Sequence, residues 1–387
     1  MDKRRLAQIQ PLMEREVLSG NVAGMSAMVF QGGHEQFFGT AGLADREQGR
    51  PIARDTIFRL FSMSKPVTSA ACMLLVERGE LDLCTPVGDY LPQYANMKVC
   101  SPDGLVPAER PVLVMDLMSM SSGLSYPGNS DESDRAVARV FDEEQRRMDA
   151  GDPMTTQQLM AAVGECPLAF QPGLAWRYGL SADVVAAVVE KVSGMRFGEF
   201  LQQELFGPLG MVDTGFWVPP EKMNRFAQVY RRHDDGLKPF LGRNLAVGRY
   251  DVPPAYEAGG AGLVSTVDDY MRFARMLLGE GMLEGTRVFS PRTVALMRQP
   301  QLPAEKLGNY WEAPQGYEYG HLMRVMVRDG WCAGLCSHGE FGWDGWLGTY
   351  FTVAPQEDMT LVVMMQRCDA GTLPITRKIR SVAYSAL

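Results

Sequence analysis

The chain has 387 residues, 46% of them hydrophobic and 22% charged, enough apolar material for a sizeable core and far from the composition of a disordered chain. Its net charge is −8, from 46 acidic and 38 basic residues; with no basic block or arginine-rich arm, a nucleic-acid partner is not expected. No stretch approaches the roughly 18 consecutive apolar residues of a membrane span, the charges of Met1 to Gln8 have no apolar run behind them, and the seven cysteines are scattered, so the expectation is a cytoplasmic protein with free thiols and no membrane partner.

Leu6, Ile9, Met13 and Val17 recur at helical spacing and predict a helix over 3–18, stopped by Gly20. Ala27 to Phe30, a turn at Gly32-Gly33 and Gln36 to Gly39 read as a β-hairpin. Val67, Ala70, Ala71, Leu74 and Leu75 share a helical face, and Pro66, tolerated only in a first turn, puts the helix start near Ser62. The stretch 86–249 is rich in Pro, Gly and Met and carries short helical patterns at 182–193 and 196–206. Thr266 caps a further helix with Tyr270, Phe273, Ala274 and Leu277. Tyr350 to Val353 and Leu361 to Met365 are strand-like, and a last helix spans about 374–386.

These elements predict an α+β fold. One antiparallel sheet, flanked by N- and C-terminal helices, takes strands from 1–85 and 250–387. A mostly helical second lobe, 86–249, is inserted between them, with the active site where the two meet.

Ser62 and Lys65 stand three residues apart at the expected helix start, so both side chains leave one face. A serine hydroxyl needs a neighbour to take its proton, and a lysine can do so only when its environment keeps it neutral. The helix N-terminus adds a free N–H and a positive dipole end, which favour an oxyanion. Alone the pair is weak, since a capping serine followed by an exposed lysine writes the same letters.

Further segments strengthen it. They are Asp55-Thr56-Ile57-Phe58-Arg59-Leu60-Phe61-Ser62-Met63-Ser64-Lys65-Pro66, then Val112 to Leu124 with its Ser119-Met120-Ser121-Ser122-Gly123 core, then Gln171-Pro172-Gly173-Leu174-Ala175-Trp176-Arg177-Tyr178. Pro208 to Thr214, Gly259 to Thr266 and Gly342-Trp343-Asp344-Gly345-Trp346-Leu347-Gly348-Thr349 follow in order. In these the chain resembles, over about residues 20–385, the serine hydrolases of penicillin-binding-protein-like or β-lactamase (class C) type. Within those it is most similar to the β-lactamase-related family VIII carboxylesterases.

The resemblance implies Ser62 as nucleophile, Lys65 as general base and Tyr178 as the catalytic tyrosine, with backbone N–H groups of Ser62 and Trp346 as oxyanion donors. It places Trp343-Asp344-Gly345 on an edge strand. It implies no metal or other cofactor, and Cys332, Cys336 and His338 lack the fourth ligand of a zinc site. Trp343, Asp344, Gly345, Leu180 and Tyr126 are the expected substrate-binding residues. Penicillin-active members carry a cation where Trp343 stands and an amide where Leu180 stands; here Asp344 would repel an anion. The expected substrate is therefore a small neutral carboxylic ester, against an apolar wall of Trp343, Trp346 and Leu180. A β-lactamase or D-alanyl peptidase, an acyltransferase, and a catalytically silent ligand-binding relative are the alternatives. No Ser-His-Asp enzyme is indicated, since G-x-S-x-G is missing and His34, His233 and His321 have no motif context. No oligomeric state is implied.

Overall fold

Strands from the two ends of the chain meet in one sheet. The computed structural model describes residues 1–371 and 373–387. Its eight-stranded antiparallel sheet takes β1 (Gly24–Gln31), β2 (His34–Asp45) and β3 (Arg50–Pro51) from the N-terminal part. The remainder come from near the C-terminus: β4 (Tyr317–Tyr319), β5 (Arg324–Met326), β6 (Phe341–Asp344), β7 (Tyr350–Ala354) and β8 (Met359–Met365). The spatial order is β4-β5-β6-β7-β8-β1-β2-β3. The expected β1–β2 hairpin turns at Gly32 and Gly33, both at positive φ (62° and 75°), the backbone twist that a tight hairpin requires.

The helices that frame the sheet are α1 (Lys3–Leu6), α2 (Ile9–Leu18), α3 (Ser64–Glu77), α6 (Val267–Leu278) and α7 (Pro374–Ser385), while α4 (Glu132–Ala150) and α5 (Ser181–Ser193) belong to the helical stretch between, with α5 packed on α3. β1 and β8 pair with Ala27 opposite Val363 and Val29 opposite Leu361. Those residues, with Met25 and Met365, pack against Leu6, Ile9, Met13, Ile375 and Ile379 of α1, α2 and α7. The alternate residues Met28, Val362 and Met364 join the larger core with Val67 of α3 and Phe273 of α6. Both faces of the sheet are thus covered, which is why Leu361 to Met365 is continuously apolar rather than alternating.

Three expectations change in detail. The helix over 3–18 is two helices, because Pro11 gives no N–H to the Ala7 carbonyl and its ring crowds that oxygen. The 196–206 helix is α-helical only over Phe197–Leu201; Gln202–Phe206 is a widened π turn closed by Gly207 N–H on Gln202 O. Pro208 supplies no N–H to the Glu204 carbonyl, and the wider turn accommodates that loss. Finally, β6 is no edge strand, since it lies between β5 and β7. However, β5 is short and pairs with it only at Gly342 and Phe341, so from Trp343 onward the β5 side of the strand is free. No helix among the described residues is long and apolar enough to cross a membrane.

One buried ion pair ties α7 to the sheet. Glu340, fully buried before β6, accepts from Arg380 Nη1 at 3.2 Å and from the Tyr317 hydroxyl at 3.1 Å, and Tyr384 also donates to it. Truncating one partner leaves the other charge without compensation. Arg380→Ala is expected to destabilise the protein by about 3–5 kcal/mol, read as a fall in the denaturant midpoint at constant slope.

Candidate active site

The backbone is contorted immediately before Ser62. Phe61 has φ +46°, a left-handed conformation that a bulky non-glycine residue adopts only when its surroundings impose it. Three segments distant in sequence impose it. The Gln366 amide clamps Arg59 from β8's end, its Oε1 accepting the Arg59 N–H and its Nε2 donating to the Arg59 carbonyl, each at 3.0 Å. Leu60 donates its N–H to Leu263 O at 2.9 Å and accepts from Thr349 Oγ1 at 3.0 Å. The Phe61 ring meets Trp346 edge-on at 5.0 Å. A 3-10 turn, Phe61–Met63, then runs into α3, and Tyr270 of α6 donates to Met63 O at 2.8 Å.

One turn further, Lys65 is fully buried. Its Nζ lies 3.0 Å from Ser62 Oγ, 2.9 Å from the Tyr126 hydroxyl and 2.8 Å from Gly260 O. Burial lowers its pKa to about 7, against the opposing pull of the Asp183 and Asp344 carboxylates. Nζ also sits 4.6 Å from the centre of the Tyr178 ring. Tyr178 accepts the Trp343 indole N–H at 3.1 Å. Because an indole can only donate, the phenol keeps its own proton to give elsewhere. Burial pushes the Tyr178 phenol up, opposed by its hydrogen bonding with Ser62 and Trp343; burial also raises Tyr126 well above its ordinary value. Both phenols therefore stay protonated while the amine between them titrates.

The end of β6 reaches the same turn. Gly345 is pressed so tightly that a Cβ there would lie 2.2 Å from both Leu60 O and Thr349 Oγ1. Among the described residues, neither the Ser62 N–H nor the Trp346 N–H donates to a protein acceptor. Asp344 is not a bare anion: Arg324 Nη1 holds its Oδ1 at 2.6 Å. Burial raises the Asp344 carboxyl and the Arg324 guanidinium opposes that rise.

The structure brings Ser62, Lys65, Tyr178, Tyr126 and the β6 end together and sets two expected wall residues back. Leu180 is fully buried and Trp343 is 1% exposed, packed behind Tyr178 instead of lining an open surface. The accessible aromatic beside Tyr178 is Trp311, 43% exposed, with ring centres 5.2 Å apart. Trp311 belongs to no motif, and nothing local in the sequence singles it out. Tyr126, expected among substrate contacts, points its hydroxyl at Lys65.

A partly exposed serine, a buried amine on it, a phenol beside both and free backbone N–H groups at the helix start and just beyond a sheet strand form the kind of site expected of an acyl-transferring serine hydrolase. The chain belongs to the β-lactamase family, whose model matches residues 7–381. It is 33% identical to protein Rv1367c of Mycobacterium tuberculosis (strain ATCC 25618 / H37Rv) over 92% of this chain and 88% of that one. It is 31% identical to esterase EstB of Burkholderia gladioli, covering 98% of this chain and 95% of EstB. Among solved structures it is similar to EstCE1, a hydrolase with promiscuous acyltransferase activity, with TM-score 0.81, 25% identity and 99% of each chain covered. These similarities support a serine hydrolase of the β-lactamase fold.

The tight seat of Gly345 makes a direct test. Gly345→Ala must push β6 away from Leu60, and a displacement of about 1 Å at a reacting centre costs on the order of 100-fold in rate. The expected outcome is a kcat loss of that order for whatever acyl substrate the enzyme turns over, with substrate binding less affected.

Proposed function

We propose that the protein is a serine esterase that cleaves small neutral carboxylic esters through an acyl-enzyme on Ser62. The observation that carries this reading is the 3.0 Å approach of a fully buried Lys65 amine to Ser62 Oγ. Gly260 O can only accept, so one amine N–H always points at it. In the neutral amine a second N–H goes to Tyr126 and the lone pair faces Ser62. Lys65 takes the serine proton as Oγ attacks the ester carbonyl. The N–H groups of Ser62 and Trp346 receive the developing oxyanion, and the positive end of α3 favours it. The C–O bond to the alcohol breaks as Tyr178 protonates the departing oxygen, with Lys65 restoring the phenol's proton. Water then attacks the acyl carbon by the same proton path in reverse and frees the acid and Ser62.

A neutral substrate suits the surroundings of β6. Arg324 there is buried and pairs through Nη1 with both Asp344 and Glu312, so among the described residues its charge at the strand is already taken up by carboxylates and is not presented to a substrate. The similarity to EstCE1 favours one branch in addition, interception of the same acyl-enzyme by an alcohol in place of water.

Three outcomes test the reading. Ser62→Ala is expected to abolish p-nitrophenyl butyrate hydrolysis, and activity near the unmodified level would rule the mechanism out. The base must be neutral and its pKa is about 7, so kcat/KM should climb about tenfold per pH unit below that value and level off above it. Nitrocefin turnover should stay a small fraction of ester turnover.

A further inference from the structure

We propose that Asp183 is a positioning residue for Lys65, a buried carboxylate that fixes the Gly260 carbonyl against the amine and sets the electrostatic field in which that amine works. The proposal rests on the reading of Ser62 and Lys65 as nucleophile and base.

Asp183 lies in the first turn of α5, in a stretch otherwise apolar from Val184 to Val189, and is 2% exposed. Its Oδ1 accepts the Gly260 N–H at 3.0 Å and the Tyr256 hydroxyl at 2.6 Å. Gly259 and Gly260 are pressed onto the start of α5, where a Cβ on Gly260 would lie 2.5 Å from Asp183 Oδ2 and one on Gly259 2.6 Å from Ala182 O. With the Gly260 N–H held, the two carbonyls face α3. Gly259 O takes Thr68 Oγ1 at 2.6 Å and Gly260 O takes Lys65 Nζ at 2.8 Å. Thr68 and Lys65 are three residues apart on α3, so one rigid peptide segment grips one helix face.

A carboxylate this deep is costly to keep without compensation. Among the described residues none forms a salt bridge with Asp183 within 4.0 Å; burial raises its carboxyl, opposed by the hydrogen bond from Tyr256 and by the field of Lys65, and Asp183 in turn is the foremost group favouring the ammonium of Lys65. The titratable groups facing the pair are Tyr94, Tyr126, Tyr178, Tyr256 and Asp344. Burial holds all four phenols protonated, so the groups whose charge favours the ammonium of Lys65 are the carboxyls of Asp183 and Asp344, both themselves raised by burial.

Charge and anchoring can be separated. Asp183→Asn keeps an oxygen that accepts from Gly260 and Tyr256 but removes the charge; Asp183→Ser, small and neutral, serves where Asn does not fold. Two profiles are measured against pH on folded protein: kcat/KM for p-nitrophenyl butyrate and the rate at which a fluorophosphonate probe labels Ser62. Losing the anion disfavours the ammonium, so the acid limb of both profiles should move down by about one pH unit. A limb that stays at the wild-type position while activity falls evenly at all pH values assigns Asp183 to packing and overturns the proposal. The wild-type control separates the two readings. Failure of the probe to label Ser62 in the unmodified protein sinks the nucleophile itself, whereas normal labelling with an unmoved Asn limb sinks only the role of Asp183.

Discussion

The exclusion of water from one amine is the constraint around which this molecule is arranged. A lysine in water, with a pKa near 10.4, is neutral in roughly one molecule in 2,500 at pH 7, too few to serve as a base. Full burial of Lys65 brings its pKa to about 7, which makes about half of the molecules competent. That environment has to be polar enough to hold either protonation state and dry enough to disfavour the charge. Gly260 O, the Tyr126 hydroxyl and Ser62 Oγ supply the first condition; the apolar residues of α3 and α5 supply the second. Moving any of those contacts outward would admit water and restore an ordinary lysine.

Much of this was legible in the letters, because its signals are local. Pro66 and the Val67 to Leu75 face marked α3; Gly32-Gly33 marked the hairpin; Thr266 marked the cap whose side chain accepts from Asp269 N–H. The spacing of Ser62 and Lys65 needed only the geometry of one helical turn. The rest depended on contacts between distant segments. Trp311 reaches Tyr178 through the packing of a loop more than a hundred residues away. Asp183, read alone, is an ordinary acidic residue in a first helical turn, favoured there by the helix dipole; only the fold sets it under Gly260. Leu180 was expected to face substrate because its position is two after Tyr178, yet a single residue at the entry of α5 has no local rule that says which way it turns. The place of β6 within the sheet is likewise a property of β5, whose short length cannot be weighed from β6.

Charge near the β6 end shows how a residue read singly misleads. Asp344 alone predicts repulsion of any anion. Paired with Arg324 at 2.6 Å, and with Glu312 on the same guanidinium, it belongs to a buried cluster of two carboxylates sharing one cation, which offsets part of its charge. Such a cluster has a fixed geometry, since each member loses heavily if its partner moves. The proposed preference for neutral acyl groups then rests less on repulsion by Asp344 than on the want of an uncommitted cation.

The strained turn before Ser62 explains why the placement of its hydroxyl depends on both ends of the chain. Phe61 at φ +46° is a conformation the segment would relax out of if free. The restraints come from Gln366 after β8, Thr349 before β7, Gly345 after β6 and Leu263 before α6, all remote in sequence from Ser62. A turn held this way transmits the position of the sheet directly to the hydroxyl. The same contacts that fix Ser62 Oγ also fix the Trp346 N–H, because Trp346 follows Gly345 and its ring lies against Phe61. The Ser62 hydroxyl and the Trp346 N–H, nucleophile and oxyanion donor in the proposed mechanism, are therefore set by one packed unit, and Lys65, one helical turn on, inherits its distance to Ser62 from α3 itself. In that mechanism the sheet positions the electrophile's oxygen, the helix positions the proton, and the Leu60-Phe61 turn is where the two frames are locked together.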